Sequence, residues 1–533
     1  MQELLKEYFA EIAILIYILY PLLKRAWARL QKKGDTPRKP KKAVRTTRAP
    51  KQARPTSPRP APRLPTVAKP APQADFLEAA RTQLLGLKQE ATQLLARAEG
   101  DPRLQRLVPA LREDLLGRLE GIERSLRGRP TMSTIVDDTT VLRGLAALLR
   151  HLQTMARQRS YGGSSFQADA DTMADACYAP LLELARVQGL KLRTSQPITV
   201  TGDWELSIVP RFASTRVAPL RLPVGFENSL WRWPAIAHEV AHDFYYSLEG
   251  LEQSLHERTG LPREVEVPLS SADLDRAWLR GLFGAWLSEI FADVMGTLSL
   301  GPAYVEAMRR AFRNPGSPQQ TAAILQDRNL MDEHPPPRLR LFMATRVLHH
   351  LGRHEEANEL WKRWESDHPG VRLYYLPLGG QWVGLGDETL HSIADSVIDV
   401  LVQRAWPELE GFHLLNIPGF TYLHAEHAEV QRLLRDIARG ETVNADVRWI
   451  MAAAVLAAMA QPALHDPILE AARRSILGVG EGRKAVTTKT RRPEPRSIAA
   501  TLVASLRQPR AMEEAIAIGA ALTPYRRPRW HRR

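Results

Sequence analysis

The stretch that most constrains the fold is PAIAHEVAHDFYY, residues 234–246, which places two histidines and a glutamate inside an otherwise apolar helix. His238 and His242 are four residues apart, so on an α-helix their side chains project from one face, one turn apart. Glu239 follows the first histidine directly. Because buried polar side chains need compensating partners, the rest of the fold has to bring such partners to this helix.

A second apolar helix carries the matching chemistry. The segment AWLSEIFADVMGTLSL, residues 285–300, is apolar on all sides except for a few small or acidic residues. Glu289 and Asp293 again stand four residues apart and share one face. Two carboxylates in so apolar a helix are costly to bury unpaired, and a cation with its histidine shell would offset that cost. The alternative is that both face solvent or an arginine partner.

The spacing His-Glu-x-x-His is typical of a zinc-binding helix. Imidazole nitrogens one turn apart converge on a point at zinc–nitrogen bonding distance, while the intervening glutamate reaches the water on the metal. The pattern therefore predicts His238 and His242 as Zn²⁺ ligands, Glu289 as the third ligand and Glu239 as the general base. Asp293 is predicted to accept a hydrogen bond from the outer nitrogen of a ligand histidine.

Two other histidine-containing segments are weaker candidates for metal binding. HEEAN, residues 354–358, begins like the zinc motif but has asparagine in place of the second histidine, and its charged surroundings predict a surface helix. His413, His424 and His427 form a second histidine group without a supporting carboxylate pattern. We expect no metal site at either segment.

HEVAH followed by EIFAD resembles the gluzincin clan of zinc metallopeptidases, over about residues 197–346. The resemblance implies a zincin-like fold, with His238, His242 and Glu289 as ligands, Glu239 as base and Asp293 beside a ligand. The number of residues between His242 and Glu289 is larger than in the thermolysin-like and aminopeptidase branches, so no subfamily is assigned.

Members of this clan usually bind substrate along an edge strand that precedes the zinc helix. RVAPLRLPVGF, residues 216–226, stands in that position, and its prolines favour an edge strand over a central one. A plain connecting strand is the alternative.

The segment DEHPPPRLRLF, residues 332–342, supplies two further candidates. His334 precedes three prolines, and Arg338 opens the helix that follows. Either side chain is predicted to stabilise the negative charge that develops on the substrate oxygen, and His334 is also the fallback third ligand. The alternative is a rigid helix entry with solvent-facing charges. Tyr245, Tyr246 and Tyr304 are weaker candidates, since aromatic residues beside such a helix more often serve packing.

Helical periodicity dominates most of the remaining chain, so we predict a mainly α protein, α+β in its catalytic part, with a small mixed sheet in a zincin-like domain flanked by helical regions. The predicted parts are an N-terminal hydrophobic anchor helix (1–30), a Pro/Lys/Arg-rich disordered linker (31–74), a helical bundle (75–160), the metallopeptidase domain (166–350), a C-terminal helical domain (351–480) and a basic tail (481–533).

Charge and hydropathy at the N-terminus predict membrane association. Ile12 to Leu23 is uncharged and almost wholly apolar, and sixteen Lys or Arg residues lie between Lys24 and Lys69 with a single acidic residue. This order of segments predicts a membrane anchor with a cytoplasmic catalytic domain, or a cytoplasmic protein if the anchor is not inserted. The single cysteine, Cys177, rules out an intrachain disulfide framework.

The predicted function is a zinc-dependent metallopeptidase that hydrolyses peptide bonds and is tethered at the membrane. Its predicted partners are a peptide or protein substrate and an anionic membrane surface that the basic linker contacts. A catalytically inactive zinc-binding scaffold is one alternative. A basic nucleic-acid-binding protein is another, although the linker lacks aromatic residues for base stacking.

Overall fold

The computed structural model describes residues 72–160, 165–192, 196–203, 206–208, 216–327 and 330–488. Most of these residues are helical and the sheets are small, which confirms a mainly α protein. The predicted anchor helix (1–30), the linker up to residue 71 and the basic tail beyond residue 488 lie outside the described residues. The first residues of the predicted tail continue the last helix, which ends at Thr488.

The helices follow one another with short connections. They are α1 (Pro72–Gly100), α2 (Gly117–Leu126), α3 (Met132–Ser160), α4 (Ser165–Gln188), α5 (Ala235–Ser247), α6 (Leu251–Thr259), α7 (Arg276–Ala285), α8 (Leu287–Leu300), α9 (Pro302–Ala311), α10 (Pro337–His350), α11 (His354–Asp367), α12 (Asp387–Gln403), α13 (His424–Ala438), α14 (Val447–Ala460) and α15 (His465–Thr488).

The strands form one three-stranded sheet and three two-stranded pairs. They are β1 (Gln196–Asp203), β2 (Ser207–Ile208), β3 (Val217–Pro223), β4 (Gln326–Asp327), β5 (Leu330–Met331), β6 (Leu373–Leu378), β7 (Gln381–Gly386), β8 (Ala405–Trp406) and β9 (Phe412–His413). In the larger sheet the order is β1-β3-β2, with β1 parallel and β2 antiparallel to β3.

This order corrects the prediction that RVAPLRLPVGF forms an edge strand. Its strand, β3, lies in the centre of the sheet, and β2 takes the edge. In the described residues β2 pairs with Leu220 and Arg221 of β3, and neither of these is a proline.

The chain divides into two compact units. Within the described residues, the first unit comprises 72–91 and 118–151, with buried leucines from α1, α2 and α3 and an ion pair of 2.6 Å between Lys88 and Glu123. The second unit comprises 92–117 and 152–488. Its hydrophobic core runs without interruption from Phe166 to Ile476. The structure therefore draws no boundary at the predicted domain limit of residue 350.

Helix α8 lies at the centre of the second unit. All but one of its residues are buried, because its sequence is apolar on every side. Helices α5, α9 and α10 pack against it. A helix surrounded in this way presents its few polar side chains to other helices instead of to water, which determines where Glu289 and Asp293 point.

The predicted membrane localisation and transmembrane helix require a correction. Among the described residues, no helix combines the length and the apolar character that a membrane span needs. The most apolar helices, such as α14, have 14 residues, fewer than the roughly 20 of a span, and their apolar side chains are buried within the protein core.

Candidate metal centre

Helix α5 presents its two motif histidines side by side. The rings of His238 and His242 meet edge to face with centroids 4.6 Å apart. Their Nε2 atoms lie 3.1 Å from each other. His238 is buried and His242 is nearly so, which follows from the apolar residues on both sides of the motif. The i, i+4 spacing therefore points both nitrogens at one position, as predicted.

Helix α8 brings the carboxylate of Glu289 to the same position. Its Oε1 lies 3.0 Å from Nε2 of His242, and its Oε2 lies 3.3 Å from Nε2 of His238. The three residues offer ligand atoms that all lie within 4.8 Å of one another, and no other group of this kind occurs in the described part of the chain. His238, His242 and Glu289 could thus hold a metal ion.

Three properties of this group fit a divalent metal. The separations of 3.0 to 3.3 Å are close to the ~3.3 Å between two atoms bound to a tetrahedral zinc at its usual bond lengths. The Oε2 atom of Glu289 is buried and has only longer contacts, to Nε2 of His238 at 3.3 Å and to the guanidinium of Arg340 at 3.5 Å, so a metal ion would give it a direct partner. Two imidazoles and one carboxylate are also a donor set that catalytic zinc sites use.

Without a metal, the negative charges of the centre are balanced by protons. Burial opposes a charged imidazole, but hydrogen bonds to Asp293 and Glu289 raise the pKa of His238 to about 10. For Glu289, burial favours the neutral acid, yet contacts with both histidines and with Arg340 hold its pKa far below its ordinary value. The site is therefore built around anionic carboxylates that attract positive charge.

Asp293 lies behind His238, as predicted. Its Oδ1 is 3.0 Å from Nδ1 of His238, and the guanidinium of Arg340 donates two hydrogen bonds to its carboxylate, of 2.7 and 2.8 Å. Burial works against the charged carboxylate, but the charge of Arg340 and the hydrogen bonds lower the pKa of Asp293 to about 2. A permanently ionised Asp293 fixes the ring of His238 with its Nε2 toward the metal position.

Tyr304 completes the contacts of Asp293. The hydroxyl of Tyr304 donates to Oδ1 of Asp293 at 2.8 Å and lies 3.2 Å from Nδ1 of His238. Its ring lies directly over Gly296, where any Cβ would stand 2.5 Å from the ring. The glycine therefore allows α9 to bring this tyrosine against α8.

Glu239 is buried beside the metal position and is not one of its ligands. Its Oε2 accepts a hydrogen bond of 2.7 Å from the backbone N–H of Ile208 in β2. Burial raises the pKa of Glu239 above its ordinary value. A carboxylate next to the metal position and outside the ligand set stands where a general base is needed.

His334 and Arg338, the two side chains predicted to stabilise negative charge on the substrate oxygen, lie in different places. His334 lies at the edge of the centre, with Nε2 at 3.7 Å from Oε1 of Glu289 and Nδ1 at 2.9 Å from Asp332. Its side chain is 59% exposed, so it is accessible to a substrate. Its catalytic role stays a prediction.

The structure does not bring Arg338 to the centre, which corrects its predicted catalytic role. Its guanidinium bonds Asp387 at 2.6 Å and lies over the ring of Trp361. Two residues along an α-helix turn the side chain by about 200°, so Arg338 and Arg340 face opposite sides of α10. The arginine that reaches the centre is therefore Arg340.

The other histidines do not form a metal site. Nδ1 of His413 bonds the carbonyl of Gln403, His424 contacts Arg353, and His427 contacts Tyr422. In HEEAN, His354 and Asn358 are exposed. Among the described residues, none of these side chains belongs to a group that could hold a metal ion.

Sequence reasoning missed three contributors to the centre. Arg340 and Ile208 were not assigned, and Tyr304 was given a packing role. A buried arginine in the apolar run PRLRLF was a signal for Arg340, because such an arginine requires a carboxylate partner. No local signal identifies a backbone N–H such as that of Ile208.

Comparisons with known proteins give no match. No protein-family model, no curated protein and no solved structure matches the chain.

Proposed function

We propose that the protein is a zinc-dependent metallopeptidase whose ion is held by His238, His242 and Glu289. The observation that supports this most strongly is the convergence of three donor side chains from two buried helices. Glu239 lies outside this group, and it is buried close enough to be influenced by the charges of His238, His242 and Glu289. This combination of a ligand set and a nearby base is what hydrolysis of an amide requires.

The residues of the chain divide the reaction between them. When bound, zinc supplies Lewis-acid chemistry, polarising the substrate carbonyl and lowering the pKa of water. Glu239 accepts the proton of the attacking water and delivers it to the leaving nitrogen. Asp293 and Tyr304 hold the ring of His238, and Arg340 balances the charge of Asp293. His334 faces the edge of the centre with its Nε2, where it can donate to the substrate oxygen.

The test compares the glutamates of the two similar motifs. Glu239→Gln removes the base and keeps the shape of the side chain, so we expect zinc binding to persist while peptide hydrolysis falls by about 100-fold or more. Glu355→Gln in HEEAN is the matched control, and we expect no effect. Cleavage of an unfolded protein substrate, followed by mass spectrometry, measures both. Full activity of the Glu239→Gln protein would refute the proposed role.

One observation favours a second function, a catalytically inactive zinc-binding scaffold. The carboxylate of Glu239 is already engaged by the N–H of Ile208, and only 8% of the residue is exposed. A protein that binds zinc stoichiometrically but cleaves no member of a broad peptide library would support the scaffold over the peptidase.

A further inference from the structure

Strands β6 and β7 form a hairpin closed by a tight turn. Gly379 and Gly380 form the loop, with φ values of 58° and 81°. Two residues with positive φ are typical of the turn that matches the twist of a hairpin. The register pairs Leu378 with Gln381 next to the turn and Pro377 with Trp382 one step further.

The hairpin has one buried and one exposed face. Tyr374 and Leu376 point into the core and are fully buried. The opposite face carries Leu373, Tyr375, Pro377 and Trp382, of which Trp382 is 60% exposed and Leu373 is 41% exposed. Neither LYYLPL nor QWVGLG contains a charged residue. The exposed face is therefore apolar and uncharged throughout.

The outer edge of β6 is already paired. The N–H of Ile324 donates to the carbonyl of Tyr375 at 2.8 Å, and Nε2 of Gln326 donates to the carbonyl of Pro377 at 2.9 Å. These bonds show that Tyr375 and Pro377 direct their backbone groups away from β7. A further strand cannot add on this side.

The outer edge of β7 is open. Trp382 and Gly384 pair with Pro377 and Tyr375, so their backbone groups also point away from the hairpin. Both residues are exposed, and within the described ranges neither backbone takes part in a hydrogen bond. Gly386 continues this row and is exposed as well. The edge thus presents unpaired donors and acceptors at alternate positions.

Glycine at this edge leaves room for another backbone. Gly386 has a φ of −67°, which any residue adopts, and a Cβ there would meet nothing within 4 Å. Gly386 is also the N-cap of α12, a position at which glycine is common, so it leaves space at the edge without being specific to strand binding. Edge strands are normally protected by charged side chains or prolines, and β7 has neither.

The hairpin is connected to the metal centre through one short segment. Residues 324–326 lie beside β6, and the carbonyl of Leu325 accepts a hydrogen bond of 3.0 Å from the N–H of Asp332. Asp332 in turn bonds His334, which lies 3.7 Å from Glu289. A series of direct contacts therefore links the hairpin to the residue at the edge of the centre.

We propose that the outer edge of β7 binds an extended, uncharged segment of the polypeptide substrate by strand addition. Backbone hydrogen bonds to Trp382 and Gly384 supply affinity, and the exposed apolar face favours apolar side chains at alternate positions. That the bound segment belongs to a substrate rests on the proposed function, whereas binding of an extended peptide does not.

The test measures peptide binding to the Glu239→Gln protein, so that cleavage does not interfere. The probe is a fluorescein-labelled peptide of alternating Thr and Val, and the same peptide with proline at alternate positions is the control that cannot pair as a strand. We expect the first peptide to bind at least 10-fold more tightly than the second, by fluorescence anisotropy. Two variants test the edge itself. Trp382→Lys places a charge on it, and Gly384→Pro removes one outward N–H while leaving the pairing with β6 intact.

Each variant is expected to weaken binding of the Thr/Val peptide by at least 10-fold. Leu269→Lys, which adds the same charge at another exposed apolar position, is expected to leave binding unchanged. Equal binding of both peptides, or unchanged binding by both edge variants with a wild-type circular dichroism spectrum, would overturn the proposal. So would an edge variant that alters the mass of the protein in solution and not peptide binding, because the edge would then join two copies of the chain. If the protein binds the Thr/Val peptide but hydrolyses no substrate, the proposed peptidase function is refuted and the proposed peptide binding at β7 is supported.

Discussion

HEVAH in α5 and HEEAN in α11 share their first two residues and an alanine, yet only the first contributes to a possible metal site. His238 lies buried against α8, whose Glu289 faces it at 3.3 Å. His354 is exposed at the start of its helix, and its ring nitrogen contacts only another histidine, His349, at 2.9 Å. The two regions therefore differ both in the second histidine of the motif and in the carboxylate that a facing helix supplies.

The two regions also differ in electrostatics. Hydrogen bonds to Asp293 and Glu289 overcome burial and raise the pKa of His238. In the second region burial lowers the pKa of His349 and of His427, and arginines nearby lower them further. The carboxylates of the first region favour a positive charge on His238, whereas the surroundings of His349 and His427 oppose one. Four predictions test this contrast, beginning with the largest effect.

Removing one glutamate carboxylate from each region should give the largest difference in zinc affinity. Glu289→Ala leaves two imidazoles and no third ligand, so we expect zinc affinity to fall by more than about 100-fold, the upper range for loss of a supporting residue alone. Glu356→Ala removes the carboxylate that lies 3.8 Å from His427 and should leave zinc affinity unchanged. Competition with a chromophoric chelator measures both. Equal affinities for the two variants would remove the distinction between the regions.

Replacing either of the two arginines of α10 with methionine should give the next largest change in zinc affinity. Arg340→Met leaves the buried Asp293 without its cation, so we expect a loss of about 3–5 kcal/mol in the free energy of unfolding of the metal-free protein and about 10- to 100-fold in zinc affinity. Arg338→Met affects Asp387, which is 24% exposed, so the expected loss is about 1–2 kcal/mol with no change in zinc affinity. Urea unfolding and metal titration provide the measurements. A larger loss of zinc affinity from Arg338→Met than from Arg340→Met would show that Arg338, and not Arg340, supports the centre.

The pH dependence should distinguish the histidines of the two regions in the metal-free protein. The folded pKa of His238 is raised to about 10, so its protonation stabilises the fold fully below its ordinary pKa of 6.5 and this contribution is lost as the pH rises through about 10. The lowered pKa values of His349 and His427 mean that both stay neutral through this range. Imidazole resonances followed by NMR between pH 5 and 10.5 test this expectation. A titration of His238 near its ordinary pKa would show that the carboxylates do not act on it.

Restoring the missing histidine in the second region should have the smallest effect. Asn358→His converts HEEAN into a complete His-Glu-x-x-His motif on α11. In the described residues His354 belongs to no group of three possible ligands, and position 358 is exposed, so we expect no additional tightly bound zinc. Metal analysis by mass spectrometry after dialysis decides the point. A second equivalent of zinc would mean that the motif alone is sufficient.

Local periodicity explains why much of the centre was predictable. The i, i+4 pairs of HEVAH and EIFAD fix which side chains share a face before any tertiary structure is known. Burial of polar residues in apolar helices then required that the two faces meet. His238, His242, Glu289 and Asp293 come together for this reason.

The remaining features depend on tertiary packing, which sequence periodicity does not encode. Arg338 and Arg340 are equivalent as sequence, and only the rotation of α10 against α8 decides which one meets Asp293. The order of the sheet depends on how β2 returns to β3, so the edge strand was misassigned. Around the predicted domain limit at residue 350, α10 packs against α8 and also against α11 and α12, which periodicity does not encode either.

The central claim is that His238, His242 and Glu289 share one divalent ion. A crystal structure of the zinc-loaded protein with anomalous data collected on both sides of the zinc absorption edge tests it most directly. We predict an anomalous peak about 2.0–2.2 Å from the Nε2 atoms of both histidines and from the carboxylate of Glu289. A peak elsewhere, or none at this position in crystals grown with zinc, would contradict the account.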